Sequence, residues 1–108
     1  MQKLLYTLIA FSFLASANAQ VKDRNLLKMA NTEFAELRYV YAIPLYKRYI
    51  QLNQNDANAT LQLAKCYQIN NQYDSAIKYT KLATQLGADA GNMLPELWAN
   101  KGDYNEAV

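Results

Sequence analysis

Residues 57–90 read ANATLQLAKCYQINNQYDSAIKYTKLATQLGADA, and this segment determines the architecture that we predict. Apolar residues recur three and four positions apart on both sides of the polar run Asn70-Asn71-Gln72. That spacing is typical of two amphipathic helices, and the polar run suits the turn between them. The segment therefore predicts a helix hairpin.

The preceding residues 23–56 repeat this pattern. Shifting the chain by 34 positions aligns residues 23–56 with residues 57–90 and makes eight pairs identical, where chance gives roughly two or three. Most of the matches are apolar and helically spaced, so they mark buried faces. The identical pairs are Leu27 with Leu61, Ala30 with Ala64, Tyr39 with Tyr73, Ala42 with Ala76, Ile43 with Ile77, Lys47 with Lys81, Gln51 with Gln85 and Leu52 with Leu86.

The period and the residues together resemble the tetratricopeptide repeat, a two-helix unit with the pattern W-x2-L-G-x2-Y, then A-x3-F, then P. Repeat two, residues 57–90, matches this pattern closely, whereas repeat one, residues 23–56, departs where Glu33 replaces the aromatic residue that has moved to Phe34. The resemblance implies an all-α fold of antiparallel helix hairpins stacked as a solenoid. The matching residues of repeat two are Thr60, Leu63, Ala64, Tyr67, Tyr73, Ala76, Thr80, Ala83 and Leu86.

A partial third repeat occupies residues 91–108 in this interpretation. Pro95 is expected in the first turn of its first helix, and residues 102–107, GDYNEA, resemble the family's turn between helices. Because half a hairpin cannot cover its own apolar face, we expect Leu94, Leu97 and Trp98 to be poorly covered. We therefore expect the chain to be the N-terminal part of a longer protein; the alternative is a short adaptor whose last turn frays.

Small residues recur where the two helices of each hairpin must approach closely. Ala30, Ala64, Ala42 and Ala76 occupy these positions in the two full repeats. Large side chains are expected to fill the spaces beside them, because alternating small and large residues interdigitate. The large residues expected there are Tyr39, Tyr73, Met29 and Leu63.

Residues 1–19 have the features of a secretory signal peptide, which we expect to form a helix before the solenoid. Lys3 supplies a positive start, residues 4–14 are mostly apolar, and Ala17-Asn18-Ala19 is a small-residue cleavage site. The apolar stretch is shorter than the roughly 20 residues of a transmembrane helix. Cleavage after Ala19 would export the protein to the periplasm. Its single cysteine, Cys66, cannot form an internal disulfide and is expected to pack in the core.

Composition argues against catalysis and against nucleic-acid binding. The 108 residues include no histidine, which removes the commonest general base and metal ligand. The formal net charge is only +2, well below that of a typical nucleic-acid-binding domain. We therefore predict no enzyme activity, catalytic residue, cofactor or metal site, and no nucleic-acid partner.

The order of signal peptide and repeats resembles the N-terminal region of bacteroidete-type envelope proteins. In these, tetratricopeptide repeats precede a WD40-like propeller and an OmpA-like peptidoglycan-binding domain, and some members serve type IX secretion. The resemblance implies a scaffold for protein–protein interaction in the cell envelope, associated with the outer membrane. It also implies that further domains contact peptidoglycan or an outer-membrane complex. The alternative is the substrate-recruiting arm of an exported enzyme whose catalytic domain lies beyond residue 108.

Tetratricopeptide arrays bind protein or peptide partners in a concave groove lined by the first helix of each repeat. Leu27 occupies a position where the chaperone-type carboxylate clamp requires lysine, so that specific clamp is not expected. An ordinary solvated helix face is the alternative interpretation of the basic residues here. The groove residues implied by position are Arg24, Leu27, Lys28, Asn31, Phe34, Asn58, Leu61, Gln62, Lys65 and Gln68.

Overall fold

The computed structural model describes residues 24–107, and the side chains among them as far as residue 102. The predicted signal peptide, residues 1–19, lies outside the described residues. The described part is helical: residues 24–35 form α1, and the other helices follow after short connections. They are α2 (Tyr39–Leu52), α3 (Ala57–Ile69), α4 (Tyr73–Gln85) and α5 (Met93–Ala107).

Consecutive helices pack against each other in chain order, α2 on α3, α3 on α4 and α4 on α5. The pairs α1–α2 and α3–α4 are the two predicted hairpins, and the predicted all-α class is confirmed for residues 24–107. The inner helices α1 and α3 come first in each hairpin, and the outer helices α2 and α4 come second.

The four small residues at the helix crossings are all fully buried, which confirms their predicted role. Ala30 and Ala42 lie in the first hairpin, and Ala64 and Ala76 lie in the second. Without side chains beyond Cβ at these positions, the helices approach closely enough for larger neighbours to interdigitate. Leu63 is also fully buried, as predicted.

Met29 is predicted to fill the space beside the small residues of the first hairpin. This prediction is wrong, because 53% of the Met29 surface is exposed. The buried side of α1 carries Leu27, Ala30 and Phe34, which recur at helical spacing and leave Met29 about 100–160° away from them around the helix. Helix α3 packs against both α2 and α4, which explains why its corresponding residue, Leu63, is covered. Met29 therefore lies on a side of α1 that is largely open to solvent.

Three helices end in the same hydrogen-bonded turn with a left-handed residue. In the first, the N–H of Leu37 donates to the Phe34 carbonyl and the N–H of Arg38 donates to the Glu33 carbonyl, at 3.0 and 2.8 Å. This is the Schellman arrangement, in which the residue after the helix has positive φ. Its left-handed residues are Leu37 (φ 64°), Asn71 (φ 61°) and Gly87 (φ 105°).

The third repeat differs in part from its prediction. Pro95 is the third residue of α5, in the first turn as expected. Leu97, however, is fully buried, because the face of α5 that carries it packs on α4, whereas Trp98 remains 51% exposed as expected. The predicted turn at residues 102–107 is wrong: α5 continues through Ala107, and Gly102 has no left-handed backbone.

Candidate functional site

The inner helices α1 and α3 form the walls of a cavity of about 450 Å³. Residue Asp56, which precedes α3, also lines it. We call this cavity the α1–α3 groove. Its lining residues are Leu27, Asn31, Asp56, Asn58, Ala59, Leu61, Gln62 and Lys65.

A second cavity of about 450 Å³ runs along α1 and shares Leu27 and Asn31 with the groove. It is lined mainly by apolar surface, and two cationic side chains border it. We call it the α1 flank. Its lining residues are Arg24, Leu27, Lys28, Asn31, Thr32 and Ala35.

The two cavities account for eight of the ten predicted groove residues. Phe34 lies in neither cavity, because its ring packs edge-on against Tyr39 and Tyr46, with centroids 5.4 and 6.5 Å apart. It is therefore a packing residue of the first hairpin. Gln68 is half-buried on α3 and also lines neither cavity.

Asp56 is a groove residue that the position-based prediction missed. It is the N-cap of α3, and its Oδ1 atom accepts a hydrogen bond from the Ala59 N–H at 3.0 Å. Its Oδ2 atom accepts from the Tyr49 hydroxyl at 2.8 Å. An aspartate directly before a helical pattern is a recognisable capping signal. Both carboxylate oxygens are thus engaged by the protein at the end of the groove.

Tyr46 of the outer helix α2 contacts a groove residue from the buried side of the groove. Its ring is fully buried, and its hydroxyl donates to Oδ1 of Asn31 on α1 at 2.6 Å. The side-chain amide of Gln62 on α3 lies beside the same hydroxyl, and burial raises the pKa of Tyr46 to about 12. One tyrosine hydroxyl therefore lies between polar side chains of the two inner helices.

The cations of the groove and the flank have no acidic partner in the described part of the chain. The ion pairs there join Arg38 to Glu33 and Glu36, and Lys101 to Asp74. None of them involves Arg24, Lys28 or Lys65. The groove and the flank together hold three cations, Arg24, Lys28 and Lys65, and one anion, Asp56, so the two cavities taken together have an excess of positive charge.

The single thiol shows no sign of chemical activation. Cys66 is fully buried on α3, as predicted, and desolvation raises its pKa to about 12. A thiol becomes a nucleophile when its pKa is lowered, so this environment is typical of a packing residue. Among the described residues, His, Cys, Asp and Glu side chains form no group of three that could hold a metal ion.

Two further surfaces expose apolar side chains. One lies at the turn between α1 and α2 and includes Leu37, Val40, Tyr41 and Ile69, beside a cavity of about 210 Å³. The other is the ring of Trp98, with the ammonium groups of two lysines, Lys81 and Lys101, 5.6 and 5.3 Å from its centroid.

No helix among residues 24–107 is long and apolar enough to cross a membrane.

Residues 33–94 match the model of a protein family described as "Tetratricopeptide repeat". The matched region is more than half of the chain and contains α2, α3 and α4 completely. A comparison with curated proteins gave no match.

Proposed function

The chain belongs to the tetratricopeptide repeat family, and from that premise we propose that it is an exported scaffold whose α1–α3 groove binds a segment of a partner protein in the bacterial cell envelope. Repeats of this family generally bind proteins or peptides. The observation that supports the groove as the binding surface is its position between the two inner helices, where it is open and lined by both apolar and polar side chains.

Two hydrogen bonds from α2 fix groove residues in position, which favours a binding role. Tyr46 bonds to Asn31 at one wall, and Tyr49 bonds to Asp56 at the start of the other. Both tyrosines belong to α2, so one outer helix fixes the two inner helices. A surface that is organised before binding loses less conformational entropy when a partner docks.

The groove assignment is tested by selecting peptides that bind the purified full chain from a random library displayed on phage. Lys65→Glu changes a groove cation, whereas Lys78→Glu makes the same change on the exposed side of α4. We expect the selected peptides to lose affinity for Lys65→Glu and to keep it for Lys78→Glu. If the two variants bind the selected peptides equally well, the groove is not the binding surface.

Export is proposed from residues 1–20, whose charge, apolar core and small-residue cleavage site fit a secretory signal. In a Gram-negative host, a C-terminally tagged chain should appear in the periplasmic fraction with the mass of residues 20–108 and the tag. Ala19→Tyr places a bulky residue at the cleavage site and should leave the precursor uncut. A wild-type protein found uncut in the cytoplasm would contradict export.

The wider architecture is also part of the proposal. Signal peptide followed by repeats is the order found in the bacteroidete-type envelope proteins described above, so we propose a non-catalytic arm of an OmpA-like or type IX secretion-associated protein at the outer membrane. Reading the gene downstream of residue 108 tests this. An OmpA-like domain would support the envelope scaffold, whereas a hydrolase motif would favour the arm of an exported enzyme.

A further inference from the structure

We infer that the chain pairs with a second copy of itself through the exposed apolar side chains at the turn between α1 and α2. We call this surface the turn patch, and it consists of Leu37, Val40, Tyr41 and Ile69. All four residues line one cavity of about 210 Å³, and none of them lines the α1–α3 groove or the α1 flank. The inference is therefore separate from the groove function proposed above.

The second repeat shows that the hairpin does not need apolar side chains at this turn. The two turns have left-handed residues with nearly the same φ, 64° and 61°, and the same pair of backbone hydrogen bonds. In the 34-residue alignment, however, three residues of the turn patch correspond to polar ones: Leu37 to Asn71, Val40 to Asp74, and Tyr41 to Ser75. Since polar residues form this turn in repeat two, the apolar residues of repeat one serve a purpose other than folding the hairpin.

Leu37 is the least favourable of these residues for the single chain. Its backbone lies in the left-handed region, which leucine disfavours. Its side chain is 70% exposed, so it gains little from burial within its own chain. A partner that covers this side chain would supply the burial that the single chain lacks.

The size of the turn patch suits a protein interface. Its four side chains are between 49% and 70% exposed and together present on the order of 500 Å². An interface of standard size buries about 800 Å² of each partner, and a little over half of that area is non-polar. The turn patch therefore supplies about the apolar area that one such interface needs, and the polar residues around it would form the rim.

The shape of the turn patch selects a second copy as the partner. Leu37 borders the cavity and is exposed beside it, and the cavity has room for one large apolar side chain. In a twofold pair, the same surface of each copy faces the other. When the axis passes beside residue 37, Leu37 of each copy enters the cavity of the other. A protruding side chain next to a cavity is the arrangement that this exchange requires.

The charges beside the turn patch allow two identical surfaces to meet. Arg38 is the charged residue that lines the cavity, and it pairs with Glu36 and with Glu33, whose Oε2 atom lies 2.5 Å from its Nε atom. Because this charge is met within its own chain, two copies do not bring unpaired cations together. An anionic membrane surface would be favoured by unpaired cations beside the apolar residues, and the pairing of Arg38 removes the cation that lines this cavity.

Sedimentation equilibrium of the full chain tests the pairing. The average mass of the wild type should rise toward twice the monomer mass between about 10 μM and about 1 mM, because an interface of this size is weak. Leu37→Asn should keep the monomer mass over the same range. Leu52→Asn is the matched control, since Leu52 is 55% exposed at the other end of α2, about 20 Å away, and it should associate as wild type does.

Residues 1–23 are present in all three proteins, so any association through them is common to all three. A wild type that stays at the monomer mass up to the highest concentration would overturn the inference. Equal association of Leu37→Asn and Leu52→Asn would overturn it as well.

A triple variant tests the whole turn patch without depending on one residue. Leu37→Asn, Val40→Asp and Tyr41→Ser together give the turn of repeat one the residues of repeat two. Circular dichroism should show unchanged helix content, and sedimentation should show the monomer mass. Pairing with unchanged helix content would exclude the turn patch as the interface, and a loss of helix content would contradict the claim that its apolar residues are not needed for folding.

The twofold arrangement is tested by oxidative cross-linking. Leu37→Cys places a thiol beside the proposed axis and Leu52→Cys places one away from it, while the native Cys66 is fully buried. With copper–phenanthroline, Leu37→Cys should form a disulfide-linked dimer about tenfold faster, because pairing raises the effective concentration of the two thiols. Equal rates would contradict the twofold pair.

Vesicles of mixed neutral and anionic phospholipids test the other occupant of an exposed apolar surface. The wild type and Leu37→Asn should sediment with the vesicles to the same small extent. If the wild type binds vesicles, loses this binding in Leu37→Asn and keeps the monomer mass in solution, the turn patch contacts a membrane surface and the pairing inference is wrong.

Discussion

Leu37 has a backbone conformation that its side chain opposes, and replacing it should stabilise the protein. It follows α1 with φ of 64°, in the left-handed region, at the position where Asn71 and Gly87 follow α3 and α4 with the same hydrogen bonds. Glycine and asparagine are the usual residues there: glycine has no Cβ to approach the following carbonyl, and the short polar side chain of asparagine can hydrogen-bond locally. We predict that Leu37→Asn raises the free energy of unfolding.

The magnitude follows from two opposing contributions. The left-handed conformation costs an L-residue about 1–2 kcal/mol, and asparagine relieves a large part of this. The leucine side chain is 70% exposed, so the buried remainder contributes only about 0.6 kcal/mol, taking about 2 kcal/mol for full burial. Leu37→Asn should therefore stabilise the chain by about 0.5–1 kcal/mol, a rise in melting temperature of about 2–6 °C.

Leu37→Ala separates the two contributions, because it removes the same contacts but lacks the polar side chain with which asparagine tolerates the left-handed region. It should destabilise the protein by about 0.6 kcal/mol, so the two substitutions should move stability in opposite directions. Urea unfolding followed by circular dichroism measures the stability of both variants. The comparison is valid when the free energy of unfolding depends on urea concentration with the same slope in each. If Leu37→Asn and Leu37→Ala lower stability alike, side-chain contacts outweigh backbone strain at this turn, and our reasoning is refuted.

Three further predictions concern the core, the cap and the thiol. Ala76→Leu should overpack the fully buried crossing of α3 and α4 and cost about 1–3 kcal/mol, whereas the exposed Ala35→Leu should leave the melting temperature nearly unchanged; equal effects would contradict the assigned packing. Asp56→Ala should lower the free energy of unfolding by about 1–2 kcal/mol in urea titrations, because the Ala59 N–H and the Tyr49 hydroxyl lose their acceptor, and Asp56→Asn should recover part of the loss. Burial raises the pKa of Cys66 from 9.0 to about 12, so the folded state holds a proton that the unfolded state releases; stability should fall as pH rises from about 9 to about 12, and iodoacetamide should label Cys66 at pH 9 only in step with unfolding by urea.

The sequence predicts the hairpins well because their physical signal is repeated. Each close crossing of helices requires a small residue, and the 34-residue period places Ala30 and Ala64, then Ala42 and Ala76, at equivalent positions. A single occurrence of alanine carries little information, whereas two occurrences at the same place in the period indicate a common contact. All four are fully buried.

The predictions fail where burial depends on which helix lies next to a face. Met29 and Leu63 are equivalent by position, yet only Leu63 is covered, because α3 has packed neighbours on both sides. Phe34, which is predicted for the groove by position, packs edge-on against Tyr39 and Tyr46, and its position in the repeat does not indicate these contacts. The 34-residue period predicts on which side of its helix a residue lies. It does not predict whether another helix packs against that side.

The polar organisation of the groove depends on contacts between residues far apart in the sequence. Tyr46 and Asn31 are 15 positions apart and belong to different helices, and Thr80 occupies the position of Tyr46 in the second repeat. Comparing the repeats therefore gives no indication of this bond. It becomes visible only when α1 and α2 are placed side by side.

The ends of the helices are set by packing more than by the local residue. Leu37, which disfavours the left-handed conformation, adopts it where α2 folds back on α1, whereas Gly102, which permits it without cost, stays within α5. Residues of α2 such as Ala42 and Tyr46 belong to the same buried core as Ala30 of α1, so α2 is held against the helix before the turn. Contacts of the second helix thus provide the free energy that ends the first one.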